Sequence, residues 1–149
     1  MKAVGEKSSA PQAHPDAGAT LSKAVRNAAS LLEIRQNALA RILGVSPATA
    51  SRLCAGTYQL SPERGKEWEL GILLVRLFRS LDAMVGHDAD AKKWLASDNL
   101  GLGQPPLALM ESAEGLVRVL HYGAHTRMRA VHAFRSSRRG MRVCADTHK

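Results

Sequence analysis

At 149 residues the chain can hold one medium domain or two small ones, and with 45 % hydrophobic but only 4 % aromatic residues it reads as an Ala/Leu-rich helical protein rather than a sheet. Its net charge of +8 is unevenly spread: residues 20–60 carry five bases against one acid, residues 61–122 seven against nine and residues 123–149 seven against one, while residues 1–19 balance. Two distant cysteines, Cys54 and Cys144, argue against a disulfide framework or zinc site and for a reducing cytoplasm, and neither a signal-peptide core nor a membrane span is present, the longest apolar run being Gly71 to Val75.

Residues 1–19 read as a flexible arm. A first helix is predicted from about Leu21 to Leu32, with Thr20 as its cap and Leu21, Val25, Ala28 or Ala29 and Leu32 on one apolar stripe. The window from Gln36 to Leu53, QNALARILGVSPATASRL, then has the spacing of a helix-turn-helix unit. Ala40 is small enough for two helices to cross, Gly44 suits the turn, and Val45, Ala50 and Leu53 lie under the second helix. Ser46 is its predicted cap and Pro47 its first residue, where a missing N–H costs nothing. The exposed face carries Ala48, Thr49, Ser51 and Arg52, a surface able to lie in a DNA major groove. Short Ala/Leu-rich helical hairpins also occur as plain bundle parts, but the excess of bases over residues 20–60 favours a phosphate-facing surface. The candidate DNA-binding residues are Arg35, Gln36, Arg41, Ser46, Thr49, Ser51 and Arg52.

Gly56 closes that helix, and Ser61-Pro62-Glu63 is predicted to start the longest one, spanning residues 61–86. Its apolar residues, among them Trp68, Ile72, Val75, Leu77, Phe78 and Leu81, exceed what one stripe needs. Two arrangements fit: one face packs on its own domain and the other on a second copy, or the helix is the buried centre of one compact domain. A break at Gly86-His87-Asp88 precedes a short helix from Ala89 to Ala96, a Gly/Pro-rich loop over residues 99–106, a one-to-two-turn segment around Leu107 and Leu109-Met110, and a last helix capped by Ser112 and ending near Tyr122. The fold expected is all-α, a helix-turn-helix bundle over residues 20–60 followed by a small helical domain over residues 87–122.

The run KKWLASDNLGLGQPPLALMESAEGLVRVLHY, from Lys92 to Tyr122, resembles the toxin-binding domain of the Xre/MbcA/ParS antitoxins. The matching residues are Trp94, Leu95, Asn99, Leu100, Gly103, Pro105, Leu109, Ser112, Gly115, Val119 and Leu120, and with the helix-turn-helix upstream the likeness covers residues 20–122 in the family's order. The resemblance implies an antitoxin of a two-gene bacterial module. Its partner would be a RES-domain toxin that destroys NAD, bound and shielded by the second domain while the first represses the operon. Trp94, Asn99, Leu100, Gly103, Pro105, Leu107, Leu109, Ser112, Gly115, Arg118 and Tyr122 would then form the toxin-binding surface, and Leu95, Val119 and Leu120, with much of Trp94, the core beneath it. Gly103 and Pro105 would fix a tight loop, with Leu107 and Leu109 presented for docking.

After Tyr122 the chain departs from the family, whose members continue briefly with a Leu-Asp pair and a basic end that tends to lie near the toxin's active site. Here Gly123-Ala124-His125 leads into a tail with six arginines, expected to lack order, since Gly123, Ser136-Ser137 and Gly140 oppose a continuous helix. The tail reads as a phosphate-binding arm, as an element reaching an acidic or NAD-binding cleft, or as a solvated end. His121 and His125 lie one turn apart without the glutamate of a zinc motif, and no activated nucleophile or phosphate loop is present. The expectation is a protein with no enzymatic activity, cofactor or metal, whose partners are a toxin, operator DNA and a second copy, and which meets no membrane. The competing reading is a stand-alone transcriptional regulator whose second half dimerises or senses a ligand.

Overall fold

The computed structural model describes residues 16–125 apart from 86 and 87, with the backbone alone for residues 85, 88 and 89. All regular structure among the described residues is helical: α1 (Ala17–Leu31), α2 (Gln36–Leu43), α3 (Pro47–Ala55), α4 (Gly65–Val85), α5 (Asp88–Ala96), the single turn α6 (Pro106–Leu109) and α7, residues 113–125.

α1 begins earlier than the sequence suggests. Asp16, not Thr20, is its cap, its carboxylate accepting the Gly18 N–H at 3.0 Å, and Thr20 sits inside the first turn with its N–H on the Asp16 carbonyl. The expected stripe is buried: Leu21, Val25, Ala28, Ala29 and Leu32. The helix ends with Glu33 in the left-handed region (φ 52°), while the Ile34 N–H reaches back to the Ala29 carbonyl at 2.9 Å. This is the closing geometry that usually selects glycine.

The start of α4 also differs. Ser61 does not cap a helix; its hydroxyl lies 3.4 Å from the Glu63 N–H and its carbonyl takes the Arg64 N–H at 3.0 Å. That local turn occupies residues 62–64 and delays the helix to Gly65. α4 is the centre of the molecule: it packs on α1 and α2 on one side and α5 on another, and Leu70, Leu74, Leu77 and Leu81 are buried in one continuous core with Leu95, Met110, Leu116 and Val119. Its core-facing side is buried within the chain, while Trp68 and Val75 on the other side are half-buried and Ile72 is exposed.

α7 overruns its expected end near Tyr122. It continues through Gly123, which is buried beside the Ser80 hydroxyl of α4, so a glycine expected to break the helix is instead carried within it. Residues 123–125 are therefore helical. The N-terminal arm up to residue 15, the Gly86-His87 break, Cys144 and the arginine tail from residue 126 lie outside the described residues. No helix among the described residues is long and apolar enough to cross a membrane.

Candidate functional site

The helix-turn-helix is built by local rules at each joint. Gly44 ends α2 in the left-handed conformation (φ 66°) and Gly56 ends α3 in the same way (φ 81°). Ser46 caps α3, its hydroxyl accepting the Thr49 N–H at 3.1 Å, and Pro47 takes the first helical position. Ala40, Ala50 and Leu53 are buried at the α2–α3 crossing, with Val45 half-buried against the same core.

What remains outside is a short polar face. Arg35 and Gln36 are exposed at the start of α2; Ala48, Ser51 and Arg52 are exposed on α3. Thr49 is half-buried and its hydroxyl lies 2.9 Å from that of Ser46, so these two side chains hold each other as well as the helix end. Arg41 is placed differently. Its guanidinium donates to the Glu111 carboxylate at 2.7 Å, an ion pair between α2 and the turn before α7, and that hydrogen bond raises the Arg41 pKa above its ordinary value.

Sequence reasoning missed several groups around this face. Arg26 of α1 lies against Gly56, with one guanidinium nitrogen 2.5 Å from where a Cβ would be, and Lys66 of α4 lies beside the Gly44 turn. Tyr58 donates to Glu67 at 2.6 Å and accepts from Arg64, whose guanidinium also stands 5.3 Å from the ring centre. Burial, and then the bond to the Glu67 carboxylate, push the Tyr58 phenol above its ordinary pKa. The Leu60 N–H donates to the buried Ser22 hydroxyl at 2.8 Å, which pins the segment after α3 to α1. None of these pairs except Arg64 with Glu67 has a local spacing signal.

The second surface is built around a loop that one asparagine organises. The Asn99 side-chain oxygen accepts the N–H groups of Gly101 at 3.0 Å and Leu102 at 3.3 Å, and its carbonyl accepts that of Gly103 at 2.7 Å, with Gly103 at φ 81°. Leu102 is thereby buried and Leu100 fully exposed, at 102 %. A Cβ on Gly101 would lie 2.6 Å from the Tyr122 ring, so that ring covers the loop, and it stacks on Trp94 with centroids 6.5 Å apart.

Leu107 and Leu109 are half-buried against the core, so the side chain that the loop presents to solvent is Leu100 and not these two. Pro105 precedes α6, and Ser112 caps α7 through the Gly115 N–H at 3.0 Å. Gly115 is buried against the Leu109 carbonyl, where no Cβ would fit. Ser112 and Gly115 thus shape the turn, while Arg118 and Val117 stand exposed on α7. Leu95 and Val119 are in the core and Leu120 is half-buried against it.

In the His121–His125 pair, His125 Nδ1 lies 2.9 Å from the His121 carbonyl. No group of three His, Cys, Asp or Glu side chains among the described residues is arranged to hold a metal ion. A second ion pair between the two halves, Lys92 with Glu33 at 2.7 Å, joins α5 to the turn after α1.

Comparison with known families divides the chain within α4. Residues 11–76 match the model of the antitoxin Xre-like helix-turn-helix domain, and residues 80–122 match that of the antitoxin Xre/MbcA/ParS C-terminal toxin-binding domain. No curated protein sequence matches the chain. Neither domain belongs to an enzymatic family. With both domains present in this order on one helical framework, the chain belongs to the Xre/MbcA/ParS family of antitoxins.

Proposed function

We propose that this antitoxin acts in the cytoplasm in a type II module, neutralising a RES-domain, NAD-degrading toxin by direct binding and repressing its own operon through operator DNA. The observation that carries the toxin reading is Leu100, a fully exposed leucine on a loop whose shape is set by Asn99 and whose flank is covered by Tyr122. An apolar anchor held on a preorganised loop is what a well-packed protein interface uses. Arg118 and Tyr122 join it, with Trp94 behind Tyr122, while Asn99, Gly103, Pro105, Ser112 and Gly115 support it.

Arg35, Gln36, Ser51 and Arg52 supply the DNA-facing surface, with Ser46 and Thr49 holding the start of the recognition helix. One helix-turn-helix reads one half-site, so the operator-bound form is a homodimer. We assign DNA binding to residues 20–60, linking and dimerisation to residues 61–86, and toxin binding to residues 87–122.

The test is coexpression with the toxin encoded beside the gene, scored by copurification, growth and cellular NAD. The proposal expects a stable complex, restored growth and preserved NAD. A chain that neither copurifies nor rescues growth, yet binds its promoter, is instead a stand-alone regulator.

A further inference from the structure

The groove between α1 and α4 has no part in either surface described so far. It is an open apolar trough of about 460 Å³, walled by Ala17, Thr20 and Ala24 on α1 and by Trp68, Ile72 and Val75 on α4. The α1 wall repeats small residues at near-helical spacing, which lets another helix approach closely. On the α4 wall Ile72 is 38 % exposed, although the opposite side of the same helix is fully buried.

Charge on α4 says what fits there. Glu69 and Arg76 are exposed and have no ion-pair partner among the described residues. They lie two helical turns apart on one side of the helix, Glu69 three positions before Ile72 and Arg76 four positions after it. We propose that this groove receives a second copy of the chain, with the two α4 helices crossing antiparallel at Ile72 so that Glu69 of each copy pairs with Arg76 of the other.

A two-fold axis beside Ile72 places the charges in that order automatically, and it sets the two Ile72 side chains together at the centre. Parallel helices would instead oppose Glu69 to Glu69 and Arg76 to Arg76, so the charge order selects the antiparallel crossing. The two Arg79 side chains, also on the groove wall, fall at opposite ends of the contact and do not meet. Each copy's α4 then lies in the other's groove, which gives a four-helix layer of α1, α4 and their counterparts. The inference rests on the homodimer reading above and adds the face, the direction and the register.

Light scattering of the full chain at tens of micromolar, without DNA or toxin, tests it, with circular dichroism to confirm folding. The wild type is expected to be a dimer. Ile72→Glu should raise the dimer dissociation constant by roughly thirty-fold or more. Glu69→Arg and Arg76→Glu should each weaken it by about fivefold, since each breaks both symmetric pairs, and the combined E69R/R76E chain should return to within about twofold of wild type. A monomeric wild type overturns both this face and the homodimer reading. A dimer indifferent to Ile72→Glu overturns the face and leaves the homodimer standing. Dissociation by Ile72→Glu without rescue by the double reversal overturns the antiparallel register.

Discussion

In the helix-turn-helix half, every leucine and isoleucine of α2 and α3 is buried, and what faces outward is short, polar and cationic. In the second half the loop after α5 does the reverse: it buries Leu102 and lifts Leu100 clear of the surface. The first arrangement suits a hydrated, negatively charged partner, for which apolar exposure brings no gain and the orientation of a helix decides what is read. The second suits a protein with a pocket, where one desolvated side chain carries much of the affinity. Both surfaces depend on side chains that hold the backbone: Ser46 fixes the first, Asn99 the second.

The sharpest way to break this contrast is to destroy one surface and spare the other. Gly115→Ala forces a methyl group against the Leu109 carbonyl, and we expect about 3 kcal/mol of destabilisation in denaturant titration, with loss of toxin binding. A Gly115→Ala chain as stable as wild type would show that the α6–α7 turn yields easily. Leu100→Ser should leave stability unchanged, because the side chain is already in water, yet cost about 2 kcal/mol of toxin affinity by calorimetry. Equal affinity would remove Leu100 as the anchor.

Arg52→Ala tests the other surface. Operator affinity in gel shifts at fixed salt should fall by about 1.5 kcal/mol if the guanidinium reads a base, with toxin affinity unaltered. Ser46→Ala should cost about 1 kcal/mol of folding stability through the lost cap, and an unchanged melting curve would count against the Thr49 N–H bond. The smallest effect concerns the joint between the halves. Both Arg41 and Glu111 are substantially solvent-exposed, so a double-mutant cycle of Arg41→Ala and Glu111→Ala should give a coupling of no more than about 1 kcal/mol, vanishing at high salt.

The elements that the sequence announces are those with local causes. Ser46, Pro47, Gly44 and Gly56 place α3 almost to the residue, and Ser112 places the start of α7. The errors arise where two local motifs compete. Asp16 outranks Thr20 as the cap of α1 by reaching the Gly18 N–H, and Ser61 looks like a cap but closes a turn instead. Gly123 reads as a breaker because a sequence shows no neighbours, whereas its burial beside Ser80 is a matter of packing between α4 and α7. The site residues divide in the same way. Asn99, Gly103 and Ser112 are legible as loop and cap formers, but nothing along the chain distinguishes Leu100 from Leu102, one bare and one buried. The pairing of Arg41 with Glu111 is likewise invisible along the chain, because the two lie 70 residues apart.

α4 also bears on how such a protein is inherited. The two family domains meet within this helix, whose leucines fill a core common to both. A recombination event that joined the front of one antitoxin to the back of another at this junction would bring together half-helices selected against different neighbours, and Leu70, Leu74 or Leu77 would meet unfamiliar walls. A piece beginning at residue 61 would uncover the side of α4 that packs on α1 and α2, so it should tend to aggregate. Exchange of partner specificity therefore has an easier route through the twelve or so residues of the loop and turn from Asn99 onward than through the swapping of whole domains.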